Sequence, residues 1–166
     1  MIVIPGWPYG SATDWIPRHC TGQNARAVAT CTECRKPRVV YSRTALSESH
    51  RVTLAILLSE FDYTCGAPLT PPDSSLYSRV MTKANLQCGV GVEMSYYSTT
   101  ANIRRKDICS HCGIEDGNHN SDLKNQYKTV LPICKECTNN GLVPYIARPF
   151  VKQIKQKNIK SYLGKQ

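Results

Sequence analysis

Residues 109–113 read CSHCG and residues 134–137 read CKEC. Each string sets two cysteines two residues apart, a spacing at which a tight turn points both sulfurs toward one metal ion. Cys109, Cys112, Cys134 and Cys137 therefore read as one four-thiolate site, called site B. Working outward, residues 31–34 read CTEC, and the single cysteines Cys65 and Cys88 follow. Cys31, Cys34, Cys65 and Cys88 read as a second set, site A, although an exchange of pairs between the two sites stays open at this point. Four-cysteine sites ordinarily hold a fold together, while catalytic zinc sites keep a position open for water. The expected cofactor is two Zn²⁺ ions with a structural role. Gly66, Gly89 and Gly113 each follow a cysteine, where a metal-binding turn favours positive φ. Cys20 is the ninth cysteine. It reads as a free thiol or, beside His19, as a substitute ligand.

Nine cysteines also raise the possibility of a disulfide scaffold. The stretch Met1 to Pro8 is short and broken by Pro5 and Pro8, so no secretory leader is expected. Three C-x-x-C pairs in an intracellular chain favour metal over disulfides. The longest apolar run is Leu54 to Leu58, so no membrane span is expected. Because Met1 opens directly onto a Pro-rich apolar stretch, the chain also reads as a fragment or a short gene model.

The chain has 166 residues and a formal charge of +9. Each tetrathiolate site with its ion carries a net charge of about −2, which brings the total to about +5. The charge is unevenly spread: no acid follows Glu136, whereas Arg148, Lys152, Lys155, Lys157, Lys160 and Lys165 do. The body is thus close to neutral and the C-terminal tail is basic.

Ten Pro and ten Gly interrupt the apolar runs, so the core is weak without metal. Residues 1–30 read as irregular, with Trp7 and Trp15 packed on the first metal module. Val39, Val40 and Tyr41 read as a short strand. Residues 46–61 read as a helix capped by Ser47, with Leu54, Leu57 and Phe61 on one face together with His50. Residues 76–87 and 91–98 read as strands, the second from the alternation of Val92, Met94 and Tyr96. Phe150, Val151 and Ile154 give a modest apolar stripe at the tail. The expected fold class is α+β, built as small zinc-stabilised modules with short strands and few helices. The expected division is 1–98 (irregular segment plus module A), 99–147 (module B) and 148–166 (basic tail).

The pattern C-x2-C-G…L-P-x-C-x2-C over site B resembles the treble-clef class of zinc folds, which includes the GATA-type fingers. The resemblance implies a metal-binding turn, a β-hairpin and a short helix or turn carrying the last two ligands. The gap is unlike that of GATA fingers and no Trp stands in the hairpin, so binding to DNA in that style is not implied. Over residues 31–149, the string CxxCxKPRVVYS…YTCG…CSHCG…PxCKEC resembles a zinc-binding segment of uncharacterised, mobile-element-linked proteins of invertebrates. That resemblance implies no activity.

Asn118-His119-Asn120, between the halves of site B, and Asn139-Asn140 beyond it are similar to ββα-metal nucleases of the HNH and endonuclease VII type. The resemblance implies His119 as general base and Asn139 or Asn140 as a ligand of a catalytic Mg²⁺. Six residues separate Cys112 from His119, and Asn118 rather than an acid precedes it. A polar turn explains the same residues. A zinc deaminase is excluded because Ile133 separates Pro132 from Cys134. The chain reads as a non-enzyme, with His50 structural and His111 facing solvent.

Two kinds of partner fit a module of this composition. Arg104, Arg105 and Lys106 before site B, with Arg148, Lys152 and Lys155 after it, can form a basic face for the phosphates of DNA or RNA. Tyr96 and Tyr97 can stack on exposed bases. The near-neutral body suits a protein partner instead. The expected location is intracellular, with the nucleus ahead of the cytoplasm.

Overall fold

The computed structural model describes residues 20–98 and 107–150. The chain divides into two compact units, Met1–Arg105 and Lys106–Gln166. Both are small α+β assemblies of short antiparallel strand pairs and few helices.

In the first unit, strand β1 (Ala25–Thr30) pairs antiparallel with β2 (Pro37–Tyr41), with a register shift between Ala25 and Ala27. The turn joining them is the Cys31–Cys34 segment itself, so the hairpin presents the first metal-binding pair. Helix α1 (Glu48–Glu60) begins where Ser47 accepts a hydrogen bond from the backbone N–H of His50. Leu54 and Leu57 are its buried residues. They join Leu46, Leu69, Leu76 and Val80 in a core that also contains Cys31. Phe61, expected on the same face, is exposed. It lies one residue past the helix, in extended backbone, so helical periodicity no longer sets its direction.

Three segments depart from the expected pattern. Residues 25–30 form β1 where irregular chain was expected. Residues 76–87 form turns with one isolated bridge, Met81 to Tyr41, in place of a strand. Met94–Ser98 forms a short helix, α2, where alternation pointed to a strand. For the last of these the cause lies at β2. The Val39 N–H that a neighbouring strand would pair with is taken by the Glu93 carboxylate at 3.0 Å. Glu93 is itself buried, which breaks the in-and-out alternation.

In the second unit, helix α3 (Ser121–Lys124) starts where the Asn120 side chain accepts the Leu123 N–H at 3.0 Å. Strand β3 (Tyr127–Val130) pairs antiparallel with β4 (Ile146–Pro149), and α4 (Lys135–Asn139) lies between them in sequence. The hairpin expected between the two cysteine pairs is thus absent among the described residues. Only the bridge Asn118–Ile133 stands there. Residues 116–122 give one bridge residue, Asn118, and then the cap and first residues of α3, leaving no strand for β3 to pair with. No described helix is long and apolar enough to cross a membrane. The expected packing of Trp7 and Trp15 lies outside the described residues.

Candidate metal centres

The cysteines gather in the two sets read from the sequence, with no exchange of pairs. The sulfurs of Cys31, Cys34, Cys65 and Cys88 lie within 4.8 Å of one another, and so do those of Cys109, Cys112, Cys134 and Cys137. Individual pairs stand at 3.8 Å (Cys31–Cys88), 3.7 Å (Cys34–Cys65) and 3.6 Å (Cys112–Cys134). A tetrahedral ion with metal–sulfur bonds of about 2.3 Å spaces its sulfurs about 3.8 Å apart. A disulfide would bring them to about 2.05 Å. Clusters of several irons spread their thiolates more widely than one ion does. Each set therefore fits one four-coordinate metal ion.

The two sites share a backbone motif. At site A the Cys31 N–H donates to the Lys36 carbonyl at 3.1 Å, and the Arg35 N–H to the Cys31 carbonyl at 2.9 Å. At site B the Cys109 N–H donates to the Ile114 carbonyl at 2.8 Å, and the Gly113 N–H to the Cys109 carbonyl at 2.9 Å. The sequence offsets are identical. The residue after the second cysteine has positive φ in both, 61° at Arg35 and 79° at Gly113. Gly66, after Cys65, shows the same at 82°. Gly89 departs from expectation: its φ is not positive, and no second turn of this kind forms at Cys88.

Cys88 is held by other means. Arg38 is fully buried and donates Nε–H to the Cys65 sulfur at 3.2 Å. Its terminal nitrogens donate to the carbonyls of Gly91, Gln87 and Val90 at 2.6, 3.1 and 2.9 Å. Lys36, also buried, donates Nζ–H to the carbonyls of Cys88 and Val90 at 2.6 and 3.2 Å. Two cations thus clamp the loop that carries the fourth ligand, and one touches a ligand sulfur. Sequence reading passed over both. The signal was present: Lys36 and Arg38 stand two residues apart, just before and just inside β2, directly after a metal-binding turn, where a buried cation needs an anion.

Site B is built differently. Cys134 caps α4, its sulfur accepting the Cys137 N–H at 3.4 Å, so the helix start places both ligands. His111, expected to face solvent, is half-buried and in hydrogen-bond contact with the Val143 carbonyl at 2.8 Å.

The first thiol of each set, Cys31 or Cys109, is ready for a cation. Burial opposes ionisation of Cys31, but the backbone N–H groups of Cys34, Cys65 and Glu33 outweigh it and hold the thiol at about 6. At Cys109 burial is outweighed in the same way by the N–H groups of Cys112, Cys134 and His111, again giving about 6. Burial holds Cys65, Cys112 and Cys137 above the ordinary thiol value, and burial and the bonds to Cys31 and Glu33 push Cys88 up to about 12. One thiolate forms easily in each site and opposes the next. A divalent cation removes that opposition.

The other expected site residues fall as follows. Arg148 is exposed on β4, with φ 57°. Arg104, Arg105, Lys106, Lys152 and Lys155 lie outside the described residues. Tyr96 is buried and meets Tyr97 edge-on at 5.1 Å, so Tyr96 offers no face to a base. His50 contacts the Ser47 hydroxyl at the start of α1, through Nδ1 at 2.9 Å. His119 pairs with Asp107 at 3.2 Å, and Asn120 serves as a helix cap. Cys20 is half-buried, and its thiol is raised by burial and then by the Glu93 charge. It belongs to neither set.

No protein-family model, curated protein or solved structure matches the chain. The likenesses to treble-clef and mobile-element segments therefore rest on residue spacing alone.

Proposed function

We propose that this chain is a structural zinc-binding protein that contacts nucleic acid through the basic segments flanking site B. The observation that carries the metal reading is the placement of eight cysteine sulfurs in two sets, each within 4.8 Å. All-thiolate donors in tetrahedral spacing suit Zn²⁺. Both donor sets consist of four protein ligands, which suits a structural ion. The ions would be held by Cys31, Cys34, Cys65 and Cys88 at one site and by Cys109, Cys112, Cys134 and Cys137 at the other. In the treble-clef reading, the Cys109–Cys112 turn is the first half of the site and the start of α4 is the second.

The nucleic-acid reading rests on charge. Arg104, Arg105 and Lys106 precede site B, and Arg148, Lys152 and Lys155 open an acid-free tail. Clustered cations of this kind neutralise phosphates and release counterions. A nuclear, intracellular location accords with such a partner and with reduced thiols.

A second reading, a protein-interaction module, has its own support. Leu142, Val143, Tyr145 and Ile146 are all exposed, Val143 at 72%. Such a run suits an apolar contact.

Elemental analysis of the purified chain tests the metal: two zinc per chain is expected, and iron or one ion per chain overturns it. Fluorescence anisotropy with labelled DNA and RNA, across a salt series with Mg²⁺ present, tests the partner. Binding that weakens steeply with salt and is lost when residues 151–166 are removed supports nucleic acid. Cleavage of the probe points to the nuclease reading. No binding at low salt leaves the protein-partner reading.

A further inference from the structure

We propose that Cys112 is a site of modification by hydrogen peroxide, through which site B, and not site A, releases its metal ion. The inference rests on the metal reading above and asks how the two sites differ in reactivity.

The sites have the same donors but different surroundings. Cys112 is the exposed cysteine among the nine; Cys109, Cys134 and Cys137 are buried. In site A, Cys31 is buried and Cys34, Cys65 and Cys88 are half-buried. An oxidant from solvent therefore meets the Cys112 residue first. Electron density at sulfur differs too. Arg38 donates a charged hydrogen bond to the Cys65 sulfur, which draws density away from site A. Among the described residues no side-chain cation donates to a sulfur of site B. The bonds that reach its sulfurs come from neutral backbone N–H groups, those of Cys112, Cys134 and His111 at Cys109, of Cys137 at Cys134 and of Ile114 at Cys112. The exposed thiolate of the pair thus meets a neutral donor, which withdraws less density than the guanidinium at Cys65.

A partner for the second step is already in place. The Cys134 sulfur stands 3.6 Å from that of Cys112. The Cys112 thiolate attacks one oxygen of the peroxide. An S–O bond forms, the O–O bond breaks, and hydroxide leaves and is protonated to water. The Cys134 thiolate then attacks the sulfur of the sulfenic acid. The S–S bond forms, the S–O bond breaks, and a second hydroxide leaves and becomes water. Two thiolates lose two electrons and one peroxide gains them. Cys109 and Cys137 alone remain on the ion, half the donor set of a structural site, so the ion departs. Site A also has close sulfur pairs, at 3.7 and 3.8 Å. Spacing does not separate the sites; access and the Arg38 bond do.

The test uses the full chain with both ions bound, their number fixed beforehand by elemental analysis. Fewer than two ions at that stage overturns the metal reading itself, independently of reactivity. Hydrogen peroxide is titrated while a chromophoric indicator follows released metal. Differential alkylation and mass spectrometry then map the oxidised cysteines. One ion is expected to leave while the second stays, with a Cys112–Cys134 disulfide in the released fraction. Loss of both ions together, loss from site A first, or first oxidation at Cys31, Cys34, Cys65 or Cys88 overturns the proposal. Oxidation of Cys20 releases no ion and is read separately. A Cys112→His chain retains four possible ligands and is expected to slow the first release about tenfold or more. If that chain does not hold two ions, the disulfide map of the wild type decides. If it holds two and releases the first at the wild-type rate, the proposal fails.

Discussion

Arg38 donates its Nε–H to the sulfur of Cys65 at 3.2 Å, from a position with no solvent exposure. The relationship joins a buried cation to a metal site that carries a net negative charge when loaded. Neither group is stable there alone, since a buried unpaired charge costs several kcal/mol. The other nitrogens of the same guanidinium fix the carbonyls of Gln87, Val90 and Gly91, on either side of Cys88. One side chain thus compensates the charge of site A and positions the loop of its fourth ligand.

Arg38→Met should therefore destabilise the metal-loaded chain by about 3–5 kcal/mol, the cost of breaking a buried charge pair. It should also weaken metal binding at site A by about 10–100-fold. Arg38→Lys keeps the charge but loses the planar fork, and should recover only a minor part of both. Chemical denaturation and competition with a chromophoric chelator measure the two effects. Unchanged metal affinity in the Met variant would mean that Arg38 only packs.

Glu93 makes the opposite kind of contribution. Burial holds its carboxyl above the ordinary 4.5, although the Val39 N–H, the Tyr41 hydroxyl and the Arg38 charge pull the other way. Its Oε2 accepts from Val39 and Tyr41, but Oε1 is buried with no hydrogen-bond partner. A raised folded-state pKa means that the folded chain holds the proton more tightly than the unfolded chain. The stability this gives is complete below about 4.5 and is lost as pH rises through the folded value. Glu93→Gln cannot titrate. Its stability relative to wild type should therefore climb as pH rises above 4.5 and level off beyond the folded value. Comparing the two chains at each pH, both metal-loaded, cancels the acid sensitivity of the thiolates. A flat difference across that range would show that Glu93 ionises in the fold as easily as in water.

Backbone conformation after the cysteines gives a paired prediction. Arg35 occupies the left-handed region at φ 61°, a conformation that costs an L-residue roughly 1–2 kcal/mol. Arg35→Gly should recover about 1 kcal/mol, offset in part by the greater freedom of glycine in the unfolded chain. Gly66→Ala should destabilise by more than that. Its φ is 82°, and a Cβ there would stand 2.8 Å from the Leu86 carbonyl oxygen. Thermal melts of the metal-loaded variants decide. A destabilised Arg35→Gly chain would show that the Arg35 side chain makes a contribution larger than the strain.

The sequence carried the metal centres and the α+β class because cysteine spacing and turn glycines are local signals. Cys31 to Cys34 and Cys109 to Cys112 each close on themselves within six residues through backbone bonds at identical offsets. Helix α1 was legible for the same reason, with its Ser47 cap and the Leu54–Leu57 face close in sequence. The misread segments depend on distant partners. The alternation at Val92, Met94 and Tyr96 looked like a strand, but Glu93 reaches across 54 residues to the Val39 N–H. Arg38 was invisible as a buried residue because its acceptors, Gln87 to Gly91, come some fifty residues later. The hairpin expected at site B failed because β3 finds its partner only after the second cysteine pair, at β4.

Metal removal should expose a difference between the two units. Among the described residues of the second, a buried cluster consists of Cys109, Ile133, Cys134 and Cys137, so three of its four members are candidate ligands of site B. The first has Leu46, Leu54, Leu57, Leu69, Leu76 and Val80 alongside Cys31. Structural zinc contributes about 10–16 kcal/mol of apparent binding energy, comparable with or above the whole stability of a small domain. Without it the second unit has, among the described residues, Ile108, Val130, Leu131, Pro132 and Ile133 as buried apolar side chains, too few to replace that term. Chelation should therefore unfold Lys106–Gln166, with loss of hydrogen-exchange protection at the Cys109 turn, the Asn118–Ile133 bridge and β3. In the first unit, α1 should keep partial protection through Leu54 and Leu57, while the Cys31 turn and the Cys88 loop open. Hydrogen exchange read by mass spectrometry, before and after a strong chelator, resolves the segments. Retained protection around Ile133 in the metal-free chain would show that the second unit folds on contacts other than those of site B.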